Sequence, residues 1–214
     1  MPARRRRGFL LTVEGVDGAG KSTQVRRIAS LLKRSGLRVT VVREPGGTRL
    51  AERIRRLLLD FRSAELADPA ELFLYLAARG QLFAEIIEPA LRRGELVLCD
   101  RFTDSTLAYQ GSARGFAEPL LRKLNDLSTA DRRPDLTILL DLPLSVSNRR
   151  KARTPDRLES EKNRFYRKVQ AGFRRAARRE PRRIVTVDAS GDADAVFAQI
   201  EAVLERRVLG RLRH

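Results

Sequence analysis

The run Gly15-Val16-Asp17-Gly18-Ala19-Gly20-Lys21-Ser22 holds the residues best able to do chemistry in this chain. It fits the G-x-x-x-x-G-K-[ST] phosphate-binding loop. Three glycines let the backbone wrap an anion with its N–H groups turned inward. Lys21 then sets a point charge against terminal phosphates, and the Ser22 hydroxyl suits Mg²⁺. The apolar run Phe9 to Val13 before it reads as a strand, and the residues after it read as a helix. The positive end of that helix points at the same phosphates. Together these features predict a nucleoside triphosphate as ligand.

Three further runs could serve such a site. Asp100 to Gly111 begins where the apolar run Leu96 to Cys99 ends. A carboxylate at that strand end is placed to hold Mg²⁺ across from Ser22, and Arg101 offers a planar fork for a pair of phosphate oxygens. The plain alternative is a capping Asp, a surface Arg and a half-buried Tyr109. Arg43-Glu44-Pro45-Gly46-Gly47-Thr48 makes a tight turn whose N–H groups, with Arg43, suit an anion. By itself it is only a turn. In Leu74 to Arg79, a spacing of four puts Tyr75 and Arg79 on one helix face, able to sandwich or edge-bind a flat base. In isolation the pair also reads as a core tyrosine beside an exposed arginine.

The elements that must position these residues alternate. Phe9 to Val13, Leu37 to Val42, Glu95 to Cys99, Leu136 to Leu140 and Ile184 to Val187 read as strands. They lack strict polar alternation, as strands buried on both faces do. Helical patterns cover Lys21 to Ser35, Thr48 to Leu59, Ala70 to Arg93, Pro119 to Ala130, Leu144 to Lys151, Glu159 to Arg179 and Asp192 to Arg207. Gly36 and Gly94 stand at helix stops, Pro119 suits a first helical turn, and Pro89 should kink or divide its helix. The pattern predicts an α/β fold with a mainly parallel sheet, helices on both faces, and ligands beyond the strands' carboxyl ends. Residues 9–214 are expected to form one domain, after a basic tail of residues 1–8.

Composition narrows the class further. Hydrophobic residues make up 42% of the 214, which excludes a largely disordered chain, and no apolar run reaches the length of a bilayer span. The basic N-terminus precedes an apolar run too short for a secretory core, and the single Cys99 reads as a buried thiol; the expected location is the cytoplasm. The net charge of +17 is concentrated: residues 149 to 183 hold 15 Lys and Arg against 4 Asp and Glu, and Arg4 to Arg7 add four more. Such a segment can grip polyphosphate or nucleic acid, or be a solvated helix face. No aromatics alternate with its arginines as a base-stacking platform needs; Phe165, Tyr166 and Phe173 fall instead on one core-facing helix side.

In this order and spacing the four runs resemble the thymidylate kinases, which phosphorylate dTMP with ATP, over essentially the whole chain from Phe9. The resemblance implies the P-loop kinase fold, with a five-stranded parallel sheet, a mobile lid near residues 149–160 and a homodimer. It implies that Gly15, Val16, Asp17, Gly18, Ala19, Gly20, Lys21 and Ser22 bind ATP, with Ser22 and Asp100 toward Mg²⁺. It places Asp17 at the sugar 3′-hydroxyl, Tyr75 stacked on thymine, Arg79 at the base edge, and Arg43 among the substrate-binding residues. Arg101 falls to the dTMP phosphate, Ser105, Thr106 and Gln110 to the base pocket, and Tyr109 beneath the sugar, where it crowds a 2′-hydroxyl.

Some thymidylate kinases carry a catalytic arginine directly after the loop acid. Here that position is Gly18, so the charge must come from elsewhere; Arg149, Arg150, Arg153 and Arg157 lie where a lid belongs, which resembles the bacterial lid-arginine type. Arg153 is the first choice and Arg150 the second. The only histidine is His214, so no histidine base or metal site stands near the loop, and an acceptor phosphate already anionic needs no base. The rival readings are a deoxynucleoside kinase, a kinase for another monophosphate, and a nucleic-acid-binding ATPase. Arg4 to Arg7 and the arginines between 174 and 183 receive no role.

Overall fold

The computed structural model describes residues 8–150, 157–158 and 161–210, and in it the five apolar runs form one parallel sheet. The strands are β1 (Phe9–Glu14), β2 (Val39–Arg43), β3 (Leu96–Asp100), β4 (Leu136–Asp141) and β5 (Ile184–Asp188), in the order β2-β3-β1-β4-β5. Register decides where chemistry collects. Val13 and Arg43 both lie opposite Asp100, so the loops after β1, β2 and β3 leave the sheet side by side.

Both faces of the sheet are covered, which is why its strands lack alternation. Leu11, Val13 and Leu98 pack in one cluster with Ile28 and Leu32 of α1 (Lys21–Arg34), Tyr166 and Val169 of α8 (Asn163–Arg179), and Ile200 of α9 (Ala193–Leu204). Leu10, Val97 and Cys99 point the other way, against Leu82, Phe83, Ile87 and Ala90. Cys99 is the buried thiol expected from sequence.

The long pattern around Pro89 continues as α3 (Asp68–Leu82), a π-helical turn (Phe83–Ile87) and α4 (Glu88–Arg92). The wide turn sits where proline removes a backbone donor, so the chain is adjusted there rather than broken. Gly36 and Gly94 adopt φ of 82° and 74°, the left-handed stops their positions predict. α2 (Arg49–Leu59) starts after a Thr48 cap, and α6 (Glu118–Ser128) carries Pro119 in its first turn. α7 (Leu144–Arg150) follows β4.

One helix is absent from the sequence reading. Residues Thr103–Thr106 form α5, which runs on through a π-helical stretch, Leu107–Ala113. Phe102 gives α5 no side-chain cap; the Glu14 carboxylate, 88 residues earlier, accepts from Phe102 N at 2.7 Å and Ser105 N at 3.2 Å. A cap from another strand leaves no local signal.

Four arginines of α8 and the turn after it are structural staples. Arg174 meets Asp141 at 2.9 Å, Arg175 Ser112 at 2.8 Å, Arg179 Glu118 at 2.7 Å, and Arg183 Asp104 at 2.7 Å. The expected tail (Arg4 to Arg7) and most of the expected lid, including Arg153, lie outside the described residues.

Candidate active site

The loops beyond β1, β2 and β3 contribute their motifs to one cavity of about 560 Å³. Beneath it the phosphate-binding loop runs through positive φ at Gly15 (142°) and Gly18 (78°). A Cβ on Gly15 would come within 2.5 Å of Leu140 O, and one on Gly18 within 2.4 Å of Ser147 O, so the spacing of these glycines is enforced by β4 and α7. Gly20 gives α1 no side-chain cap, and neither does any acid stand in its first turn. The helix end is therefore left positive toward the cavity.

Charge is packed tightly at this end. Lys21 is 8% exposed; its Nζ donates to Val16 O at 2.9 Å and lies 3.8 Å from Asp17 Oδ1. Burial, then the neighbouring Arg101, pulls its pKa down to about 8. Ser22 Oγ donates to Asp100 Oδ2 at 3.0 Å, so the two oxygens expected to face a cation are together. Arg101 has φ of 68°, outside the comfortable range for a side-chain-bearing residue. Its guanidinium donates to Gly15 O at 3.0 Å, pairs with Asp17, and lies 5.2 Å over the Tyr109 ring. Asp17 also accepts from the hydroxyls of Tyr109 and Tyr166, each at 3.2 Å.

The other end is built from saturated hydrogen bonds. Arg79 is 2% exposed, the reverse of the exposed arginine its motif allows in isolation. Its Nε and Nη2 hold Glu44 at 2.8 and 2.7 Å. Nη1 donates to Thr106 Oγ1 and Asn125 Oδ1, both at 2.7 Å, and Nη2 donates to Phe102 O at 3.0 Å. Four hydrogen bonds and the ion pair thus hold the guanidinium, and a base edge would compete with these partners. Burial raises the Glu44 carboxyl against this arginine, and its Oε1 has no hydrogen-bond partner among the described residues. Tyr75 lines the cavity with its phenol pushed up by burial, then by Glu71. Ser105, Thr106, Tyr109 and Gln110 line it as well.

Arg43 stands at the rim in an exposed pair with Glu52 at 2.9 Å, and Glu52 also takes Gly47 N at 2.7 Å. The turn expected to meet an external anion holds this internal one. Arg150 lines the cavity, with its guanidinium on the carbonyls of Ala189, Ser190 and Gly191 at 2.7–2.8 Å.

Sequence reasoning missed four side chains here. Glu14 is fully buried and, besides capping α5, accepts from Ser105 Oγ at 2.6 Å. Burial, then nearby Asp104, raises its pKa to about 7. Glu71 is 1% exposed and grips Gln110, Arg114 and Arg157. Glu44 and Tyr166 complete the set. Glu71 stands four residues before Tyr75 on α3, and that spacing was its one sequence signal.

A thymidylate kinase family model matches residues 13–200. The chain is 44% identical over 209 residues to the thymidylate kinase of Geobacter sulfurreducens, spanning 94% of this chain and 98% of that one. It is 46% identical over 202 residues to the enzyme of Deinococcus radiodurans, with the same coverage. Among solved structures, the thymidylate kinase of Ehrlichia chaffeensis superposes with a TM-score of 0.76 at 35% identity, covering 92% of this chain and 98% of that one. A phosphate-binding loop, a cavity closed by hydrogen bonds at its far end and these likenesses agree: this chain belongs to the thymidylate kinase family and is a phosphotransferase.

Proposed function

We propose that the protein transfers the γ-phosphoryl group of ATP to dTMP, giving dTDP and ADP in dTTP synthesis. The observation that carries this reading is a single cavity with Lys21, Ser22 and Asp100 at one end and Tyr75, Arg79 and Gln110 at the other, joined by Arg101 and Asp17. ATP phosphates lie on residues 15–22, and the dTMP phosphate on Arg101. Asp17 takes the sugar 3′-hydroxyl above Tyr109, and Tyr75 stacks on the base. Arg79, Ser105, Thr106 and Gln110 surround the base, and Arg43 attends the acceptor from the rim.

The donor set suits Mg²⁺: a hydroxyl and a carboxylate, both hard oxygens, meet at 3.0 Å beside the phosphate loop. When bound, the ion would neutralise charge on the phosphate oxygens. Lys21 and Arg101 align two anions and offset their repulsion, which is the main demand of phosphoryl transfer. A lid over residues 149–160 supplies a further guanidinium, Arg153 first and Arg150 second, in place of the arginine that Gly18 replaces. Arg150 would have to leave the carbonyls after β5 to do so. Exposed Leu50, Leu57, Phe73, Leu120 and Leu127 on α2, α3 and α6 support a homodimer. The cytoplasm is the proposed location, with nucleic acid no partner.

The test is product formation with ATP and Mg²⁺ across dTMP, dUMP, dCMP, dGMP, UMP and thymidine. Rapid dTDP formation with dTMP preferred is the expected result. Transfer to thymidine rather than dTMP would favour a nucleoside kinase, and no transfer to any acceptor would sink the reading.

A further inference from the structure

Glu71 is a buried carboxylate that the phosphoryl-transfer reading leaves without a task. Among the described residues Gln110 Nε2 donates to its Oε1 at 3.0 Å. Arg157 Nη2 and Arg114 Nη2 donate to its Oε2 at 2.6 and 3.1 Å. It is 1% exposed, and Gln110 is 3% exposed. Two arginines against it more than offset the upward push of burial and hold its pKa below the ordinary carboxylate value. Glu71 therefore stays ionised and can only accept hydrogen bonds.

That restriction has a consequence for Gln110. An amide has a donor end and an acceptor end of nearly equal size, and a half-turn exchanges them. Against an ionised carboxylate only the NH₂ end is tolerated. Gln110 must therefore present its carbonyl oxygen to the cavity it lines. The neighbouring Thr106 is constrained in the opposite sense. Its Oγ1 accepts from Arg79 Nη1 at 2.7 Å, which leaves its hydroxyl proton to give away. The wall thus shows an acceptor at Gln110 and a donor at Thr106.

Resting on the reading that the base docks against Gln110, we propose that Glu71 is a specificity-setting positioning residue: by fixing the Gln110 amide it selects a pyrimidine with an N3–H donor beside a C4 carbonyl and rejects one with a bare N3 beside an amino group. A site whose buried polar groups are left mispaired by the wrong base discriminates strongly, more so than one reading shape alone. The amino pyrimidine would set its bare N3 against the Gln110 oxygen, acceptor on acceptor.

The experiment compares kcat/KM for dTMP and dCMP in the wild type, Glu71→Gln and Gln110→Met. Glu71→Gln keeps the shape but lets residue 71 either donate or accept, so the Gln110 amide can turn. The expected result is a fall of tenfold or more in the dTMP/dCMP ratio, through a higher KM for dTMP. Equal losses on both substrates would overturn the proposal and reduce Glu71 to a support for Arg114 and Arg157. Glu71→Asp keeps the charge those arginines need; it should lower the same ratio at least threefold, and carries the test if Glu71→Gln does not fold. Gln110→Met separates the two levels of inference. If it leaves the wild-type ratio intact, the base is not read at Gln110 and the underlying site assignment fails. If it abolishes discrimination while both Glu71 variants preserve it, only the role of Glu71 is lost.

Discussion

At one end of the cavity Lys21 and Arg101 share one carboxylate, Asp17; Lys21 also donates to Val16 O, and Arg101 to Gly15 O and Ser105 Oγ, over the Tyr109 ring. At the other end Arg79 is held by Glu44, Thr106, Asn125 and Phe102, and Glu71 is gripped from three side chains. The first arrangement leaves two cationic side chains beside the open backbone N–H groups of a loop and a helix end, ready for an anion. The second fixes donors and acceptors in place before anything arrives. Polyphosphates are recognised by charge, which acts over several ångströms and tolerates small displacements. A base is recognised by which atom donates, and that fails if one amide turns over. The two ends accordingly differ in what a substitution should cost.

The largest effect is expected from Lys21→Ala. Turnover should fall by about 10²–10³-fold or more, the usual loss for a preorganised charge at a developing anion. Folding should survive, since among the described residues Lys21 holds Val16 O and Asp17. Steady-state kinetics beside a thermal melt would show it, and near-normal turnover would move the triphosphate site elsewhere. Arg79→Leu should invert that pattern. It strands buried Glu44 and should cost about 3–5 kcal/mol of stability, a fall in Tm of roughly 10 °C. Adding Glu44→Gln should restore part of the loss. A melt unchanged by Arg79→Leu would contradict the contrast between the two ends.

Lys21 also gives the phosphate end a pH signature. Its pKa in the folded chain, about 8, lies below the ordinary lysine value, so the free enzyme loses this charge as pH rises through 8. kcat/KM for ATP should decline above about pH 8, approaching tenfold per unit, while kcat declines only at higher pH because bound phosphates favour the ammonium. The linked stability term has the opposite sign: between about 8 and 10.5 the unfolded chain holds a proton the folded chain has released, so this term strengthens with pH. A flat kcat/KM profile to pH 9.5 would show that Lys21 stays charged. The smallest effect is expected from Arg43→Ala. Its exposed pair with Glu52 should contribute at most about 1 kcal/mol, readable by chemical denaturation. A larger loss would mean that the rim turn is a structural element rather than an exposed pair.

The phosphate end was legible in the chain because its parts are local. Residues 15–22 are contiguous, the strand and helix beside them follow from apolar pattern, and Asp100 stands directly at a strand end. The proposed base end was legible only through its likeness to a family. Arg79 could be placed beside Tyr75, but nothing in its neighbours told that it is buried among Glu44, Thr106 and Asn125. Arg174, Arg175 and Arg179 of α8 were likewise silent, since their partners Asp141, Ser112 and Glu118 lie 33 to 63 residues away.

Hydrophobic period, glycine at positive φ and capping act over a few residues, so the strands, most of the helices and the glycine-rich turn after β1 follow from the chain alone. Tertiary structure decided which carboxylates are buried and what they hold. Glu14 caps a helix from another strand, Glu44 locks an arginine, and Glu71 orients an amide. A carboxylate's task depends on which donors the fold brings within three ångströms of it, and those donors come from elements far apart in the chain.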